Sequence, residues 1–109
     1  MDREYVGIDF HRRRSVIARV DAAGEHLGTR RLVNDPVKLA AAVAEAGVEP
    51  EVVIEATYGW YWVVDLLQDQ GARVHLANPR ALNWGQRRVK NDERDAIDLA
   101  DMLRLGRLP

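Results

Sequence analysis

Two carboxylates in the segment VKNDERDAIDLADML, residues 89–103, fall where an amphipathic helix should be apolar. At about 100° per residue, Asp92 and Asp95 project onto the hydrophobic side, whereas Asp98 and Asp101 project onto the polar side as bystanders. The hydrophobic side carries Ala96, Leu99, Ala100, Met102 and Leu103. Carboxylates three residues apart share a helix face and can bind one hard cation together. The alternative is that Asp92 is an N-cap and Asp95 a first-turn acid favoured by the helix dipole.

Two further acids lie at the ends of predicted strands. Asp9 comes near the end of the first strand, EYVGIDFH, and Glu55 ends the fourth, EVVIEAT. Each has a simple explanation on its own, because a strand-end Asp can accept a turn hydrogen bond and Glu55 can cap the helix that follows. The joint pattern of four acids is harder to explain in that way, since all of them occupy suitable ends of elements in a single topology.

The elements that position these acids follow the order β β β α β α β α. Short connections join the first three strands, EYVGIDFH, SVIARVDAAGE and HLGTRRLVN, which predicts an antiparallel meander. The first helix is expected to begin at Asp35 and Pro36 and to end at Gly47, and the second to end at Gly71. This order predicts an α/β protein with the ribonuclease H-like (RuvC-like) fold, a mixed five-stranded sheet flanked by helices.

In this fold the four acids are expected to converge. Adjacent first and fourth strands place Asp9 beside Glu55, and the last helix brings Asp92 and Asp95 to the same point. Carboxylates so close together raise one another's pKa and destabilise the fold unless cations neutralise them. Oxygen ligands suit Mg²⁺ or Mn²⁺, and two ions about 4 Å apart can activate a nucleophile and stabilise the leaving oxygen in phosphodiester chemistry.

The composition limits the class of protein. The 109 residues and the 47% hydrophobic content suit a single globular domain spanning residues 1–109. Cysteine is absent, which excludes thiol catalysis, disulfides and Cys-type zinc sites. No apolar run approaches the roughly 18 residues of a membrane span, and the opening MDREYVGIDF lacks the apolar core of a signal peptide. These features predict a cytoplasmic protein with no membrane partner.

The net charge of −1 conceals two basic clusters. One follows the first strand and the other precedes the last helix, so they flank the predicted metal site from two directions. Their members are Arg12, Arg13 and Arg14 in the first cluster and Arg87, Arg88 and Lys90 in the second. Contacts to nucleic-acid phosphates are the predicted role, and a solvated surface is the alternative for either cluster alone.

Histidine and tryptophan side chains near these acids have two interpretations each. His11 could contact a phosphate or support a metal ligand, or it is a surface residue at the end of a strand. Trp60 and Trp62 could stack on bases. Trp60 shares a helical stripe with Val63 and Val64, however, and that spacing is more typical of a core residue.

Four segments carry a family resemblance: GIDFHRRRSVIARVD, IEATYGWYWVVDLL, GARVHLANP and RRVKNDERDAIDLADMLRLGRLP. They are similar to the amino-terminal RuvC-like domain of the IS110-family transposases, and the similarity covers essentially the whole chain. By that resemblance the catalytic, metal-binding Asp-Glu-Asp-Asp tetrad falls on Asp9, Glu55, Asp92 and Asp95. Asn91 stands where the family more often has Thr, a departure that affects only the helix cap.

The resemblance implies a metal-dependent DNA-processing domain that acts in strand cleavage and exchange during insertion-sequence transposition. It also implies DNA as a partner, a structured guide RNA in many members and a homo-oligomer in the full-length protein. Family members continue past the G-x-L-P step into a second domain that carries a serine nucleophile, so we expect this chain to be the first domain only. Ser15, the only serine in the sequence, is expected to belong to a strand.

The sequence leaves three other functions open. A resolvase that acts alone on DNA junctions would have the same site. In a noncatalytic nucleic-acid-binding module the acids would be structural. Divalent-ion binding at the four acids would distinguish a catalytic domain from such a module. Actin-like ATPases and sugar kinases share the topology and also begin with G-I-D, but their next loop needs small residues that let backbone amides reach phosphates, whereas FHRRRS is bulky and basic.

Overall fold

A computed structural model describes residues 3–55, 59–77 and 91–108 of the chain. Within those ranges the strands and helices follow the predicted order, three strands first and then a helix before and after each remaining strand. Their bounds are β1 Tyr5–Phe10, β2 Arg14–Val20, β3 His26–Val33, α1 Pro36–Ala44, β4 Glu51–Glu55, α2 Tyr61–Asp69, β5 Arg73–Ala77 and α3 Asp92–Arg104.

The strands form one five-stranded mixed sheet in the order β3-β2-β1-β4-β5. The first three strands pair antiparallel, as their short connections predict, whereas β1 pairs with β4 and β4 with β5 in parallel. Ile8 of β1 lies opposite Ile54 of β4. Asp9 and Glu55 therefore directly follow a matched pair on neighbouring strands, and the predicted mixed sheet flanked by helices is confirmed.

Alternation along β1 separates the two faces of the sheet. Val6, Ile8 and Phe10 belong to the larger core cluster, which they share with residues of α1 and α2. α3 packs on the opposite face, against β1, β2 and β4. Smaller apolar clusters join that face to α3 through Val16, Ala18, Val53, Ala77, Ala96 and Leu99. Asp9 lies between Ile8 and Phe10 in the chain, so it belongs to the face that α3 covers.

Gly7 allows α3 to lie directly on β1. A Cβ atom at this position would clash with the carbonyl oxygen of Ala96 and would stand 2.7 Å from the amide nitrogen of Ala100. Both of these atoms belong to the helix backbone, which cannot rotate away as the end of a side chain can. The glycine therefore sets how closely the acidic helix approaches the strand that carries Asp9.

The first helix begins at the predicted residues but ends at Ala44, before the predicted Gly47. A side-chain oxygen of Asp35 accepts hydrogen bonds from the amides of Val37 and Lys38, and Pro36 is the first helical residue. Gly47, which has a φ of 95°, takes the left-handed conformation that commonly follows a helix. In the described ranges, no helix combines the length and the apolar character that crossing a membrane requires.

Trp60 departs from the prediction for the second helix. α2 begins at Tyr61, and Trp60 occupies the N-cap position, half-buried, with its ring stacked on that of Tyr61 at a centroid separation of 4.0 Å. Val63 and Leu67 do form the buried stripe of the helix. Because Trp60 precedes the first turn, it is not carried on that buried face, and its predicted place in the core is wrong.

Candidate metal centre

The amino-terminal end of α3 is capped by Asn91. Its backbone is extended, with φ −129° and ψ 117°, and its side-chain oxygen accepts a hydrogen bond of 3.0 Å from the amide of Arg94. The alternative in which Asp92 caps the helix is therefore wrong, because Asp92 is the first helical residue. Its carboxylate is free of the capping role and contacts His11, whose Nε2 lies 3.3 Å from Asp92 Oδ1.

Asp9 is a fully buried carboxylate on the face that α3 covers. Its Oδ2 lies 3.0 Å from Nε2 of His11, whereas its Oδ1 accepts no hydrogen bond within the part of the chain that the structure describes. Burial raises the pKa of Asp9 from 3.8 to about 7; the nearby Asp92 also raises it, and His11 opposes the increase. A buried oxygen of this kind costs free energy unless a hydrogen-bond donor or a cation reaches it.

His11 joins the two acids. The single nitrogen Nε2 faces both Asp9 Oδ2 and Asp92 Oδ1, at 3.0 and 3.3 Å. Burial by itself would lower the pKa of His11, but the carboxylates of Asp9 and Asp92 together outweigh that effect and raise the pKa above 6.5. Asp9, His11 and Asp92 each offer one ligand atom, and those atoms lie within 4.8 Å of one another. We refer to these three residues as the metal cluster.

Glu55 and Asp95 are buried but do not belong to this group of three. Glu55 is 5% exposed and Asp95 is fully buried. Together with Asp9 they are the buried charged residues of the described ranges. Glu55 ends β4 directly after the residue that pairs with Ile8, and Asp95 lies one turn along α3 from Asp92. Glu55 does not cap the helix that follows it, since Trp60 holds that N-cap position. Asp95 is an acid of the first turn of α3, as its alternative interpretation predicts.

The predicted basic residues are described only in part. Arg12 and Arg13 are exposed in the turn between β1 and β2, and Arg14 is exposed at the first position of β2. The second cluster, Arg87, Arg88 and Lys90, lies outside the described residues. Ser15 belongs to β2 as expected; it is buried, and its hydroxyl donates a hydrogen bond of 2.6 Å to the side-chain oxygen of Asn34.

His11 had two interpretations from the sequence, and the structure places it against two of the acids. A signal was present, because Asp9 and His11 stand two residues apart at the end of a strand. It was ambiguous, since a histidine there commonly faces solvent. Arg31 of β3, which the sequence did not single out, lies beside the metal cluster on the same side of the sheet.

Known proteins resemble this chain at two levels. A family model for the DEDD transposases of IS110 elements, described as transposase, matches residues 6–109. No curated protein matches the sequence. The large terminase nuclease from the thermophilic phage G20c shares the fold, with 18% identity and a TM-score of 0.59 over 97% of this chain, which spans 56% of that chain. A second structure of that nuclease, with bound zinc, matches at 15% identity and a TM-score of 0.55, covering 99% of this chain and 82% of that one.

The two kinds of likeness carry different conclusions. The solved nuclease structures are too distant in sequence to show more than the ribonuclease H-like fold, which the strand order had already indicated. The family match extends from β1 to the last residue and includes every acid of the predicted tetrad. The chain therefore belongs to the IS110 family of transposases.

Proposed function

We propose that this chain is a metal-dependent DNA-processing domain of an IS110-family transposase, in which Asp9, Glu55, Asp92 and Asp95 hold divalent ions. The domain acts in strand cleavage and exchange, and two Mg²⁺ or Mn²⁺ ions are the cofactor. The observation that carries the proposal is the Asp9 carboxylate, which is fully buried with one oxygen that accepts no hydrogen bond from the described residues.

The donor set fits a hard divalent cation. Carboxylate oxygens are the preferred ligands of Mg²⁺ and Mn²⁺. A cation near Asp9 and Asp92 would offset the repulsion between two acids that the fold holds together. It would also offset the cost of burying Asp9, which His11 compensates only in part, since the pKa of Asp9 is still raised to about 7.

The chain's own groups have distinct roles in this proposal. Asp9 and Asp92 bind the ion from β1 and from the first turn of α3, and Glu55 and Asp95 complete the set from β4 and the next turn. His11 orients the Asp9 and Asp92 carboxylates through its Nε2. A bound divalent ion supplies Lewis-acid activation of a phosphodiester and of the attacking oxygen. Arg12, Arg13 and Arg14 lie next to the site in the chain and attract the phosphates of the substrate strand.

Strand exchange in this proposal also takes the serine that the family resemblance places in a second domain. Ser15 does not fill that role, because its hydroxyl is buried and is bonded to Asn34. A guide RNA and a homo-oligomer complete the proposal and rest on the family alone. A cytoplasmic setting is also proposed, in line with the sequence features described above. A resolvase that works without a partner domain uses the same cluster and is distinguished by whether the isolated chain cleaves DNA junctions.

Metal titration by calorimetry tests the site. We expect the parent chain to bind Mn²⁺, and we expect Asp9→Asn and Asp95→Asn each to weaken binding at least tenfold. The matched control replaces Asp98 and Asp101 with Asn on the same helix. Asp101 pairs with Arg104 at 3.3 Å rather than with the metal cluster, so this double variant should bind as the parent does. Unchanged affinity in both Asp9→Asn and Asp95→Asn would refute the site, as would loss of binding in the control.

A further inference from the structure

A cavity of 310 Å³ lies beside the metal cluster, toward the β2 and β3 side of the sheet. Two members of the metal cluster, His11 and Asp92, form one wall of this cavity. The rest of its lining comes mainly from Arg14, Val16, Arg31 and Val33. The volume is at the small end of the range for ligand sites, about 300–1,000 Å³, so it suits a compact group rather than a large cofactor.

Strand register places both arginines of this cavity on the same face as the metal cluster. Arg14 lies opposite Val33, and Arg31 lies opposite Val16. Directly opposed residues of an antiparallel pair point to the same side of the sheet. Val16 packs against Ala96 of α3, so that side is the one that α3 covers. Two guanidinium groups therefore line the approach to His11 and Asp92.

The present partner of Arg31 holds it weakly. Arg31 Nη2 lies 3.5 Å from Glu93 Oε2, and the two side chains are 62% and 43% exposed. An exposed ion pair of this length contributes little to stability, so a competing anion can displace the Glu93 carboxylate at low cost. Glu93 is the neighbour of Asp92 on α3, which keeps the guanidinium close to the metal cluster until a ligand arrives.

We propose that Arg31, assisted by Arg14, binds a phosphate of the DNA strand that enters the metal cluster. The planar guanidinium donates paired hydrogen bonds that match phosphate oxygens, and it remains charged at every working pH. The cavity is then a subsite for the phosphate adjacent to the one that reacts. This inference rests on the proposed function, since it takes the metal cluster as the place where the strand is cut.

Arg30 provides a matched control for Arg31. It is the neighbouring residue on β3, is 60% exposed like Arg31 and forms an ion pair of 3.0 Å with Glu45 after α1. Successive residues of a strand point to opposite faces, so Arg30 lies on the side away from the metal cluster. Arg30→Gln and Arg31→Gln remove the same charge from the same strand, and they differ in the face that loses it and in the acid that each arginine contacts.

The experiment measures binding of a short fluorescein-labelled DNA duplex by anisotropy over a salt series, with Ca²⁺ present to limit cleavage. We expect Arg31→Gln to weaken binding several-fold for every duplex sequence and to reduce the slope of log affinity against log salt by about 1. Arg30→Gln should keep the slope of the parent. Arg31→Lys keeps the charge but loses the paired hydrogen-bond donors of the guanidinium. It should therefore have the salt slope of the parent and an affinity between those of the parent and Arg31→Gln.

Two results would overturn the inference: equal effects of Arg30→Gln and Arg31→Gln, or no DNA binding by the parent chain. Calorimetric titration of the same samples with Mn²⁺ separates this failure from failure of the proposed function. Arg31→Gln should bind Mn²⁺ as the parent does, because the arginine is not a ligand. A parent chain that binds DNA through Arg31 but binds no Mn²⁺ would refute the proposed function and leave the phosphate subsite standing.

Discussion

At the scale of single residues, the buried carboxylate of Asp9 should make the metal-free chain less stable as the pH rises. The pKa of Asp9 is about 7 in the folded chain and 3.8 as its ordinary value, so between those values the folded state holds a proton that the unfolded state has lost. The pKa of His11 is also raised, which acts in the same direction above 6.5. One such proton changes the free energy of unfolding by about 1.4 kcal/mol per pH unit.

We therefore expect the free energy of unfolding, measured by urea denaturation in EDTA, to fall by about 1–2 kcal/mol between about pH 5.5 and about pH 7.5. Asp9→Asn removes the carboxylate, so this variant should show a flatter profile and be more stable than the parent at the higher pH. A parent profile that is level or rises over this interval would contradict the assignment, and so would an unchanged slope in Asp9→Asn.

The places of Asp9 and Glu55 near strand ends, and of Asp92 and Asp95 in the first turn of α3, could be predicted from the sequence, because strand ends and helical periodicity are local patterns. Their role as metal ligands stays a prediction. It could not choose between Asn91 and Asp92 as the cap of α3, since both residue types cap well and are adjacent. The position of His11 depends on how the turn from β1 to β2 folds back, where the His11 amide donates to the Arg14 carbonyl oxygen at 3.0 Å.

At the scale of elements, the contact between Gly7 and α3 sets how close the acids of the helix lie to Asp9. Gly7→Ala places a methyl group against backbone atoms of Ala96 and Ala100, so α3 must move. We expect this variant to lose about 1–3 kcal/mol of unfolding free energy in urea denaturation, the usual range for overpacking. Its Mn²⁺ affinity should fall as well, because Asp92 and Asp95 move with the helix while Asp9 stays on the strand.

Gly28→Ala is the control for that substitution. Gly28 also lies within a strand, and a Cβ there would stand 3.5 Å from a guanidinium nitrogen of Arg19, an ordinary contact. Both the stability and the Mn²⁺ affinity of Gly28→Ala should remain close to those of the parent. If Gly7→Ala matched Gly28→Ala in both measurements, close approach of the helix would not be what positions the acids.

Element order and type were predictable from the sequence, and tertiary packing set the details. The alternation of β1 and the Asp35–Pro36 start of α1 are local signals that the structure confirms. Trp60 was misplaced because a helical stripe gives the period of a helix but not its first residue. Gly7 gave no local signal of its role, since the close contact with α3 joins segments that are far apart in the chain.

At the scale of the whole molecule, the buried charged residues of the described ranges are all acidic, and they come from β1, β4 and α3. The buried ionisable residues there are Asp9, Glu55 and Asp95. A domain of this size has a net stability of about 5–15 kcal/mol, so the cost of burying even one uncompensated carboxylate is a substantial share of it. Metal binding and folding should therefore be coupled in this chain.

That coupling predicts a large thermal shift on metal binding. At an Mn²⁺ concentration about 100 times the dissociation constant, binding to the folded state alone adds about 2.7 kcal/mol, and each kcal/mol raises Tm by about 4–8 °C in a domain of this length. We expect calorimetric scans in Mn²⁺ and in EDTA to differ accordingly, and to differ more at about pH 7.5 than at about pH 5.5, because Asp9 must lose its proton to bind the ion. The Asp98→Asn, Asp101→Asn double variant should respond to Mn²⁺ like the parent, and Asp9→Asn should show a clearly smaller shift. Equal Tm values in Mn²⁺ and EDTA for the parent would show that the buried acids are compensated within the protein itself, and they would then be structural residues of a nucleic-acid-binding module.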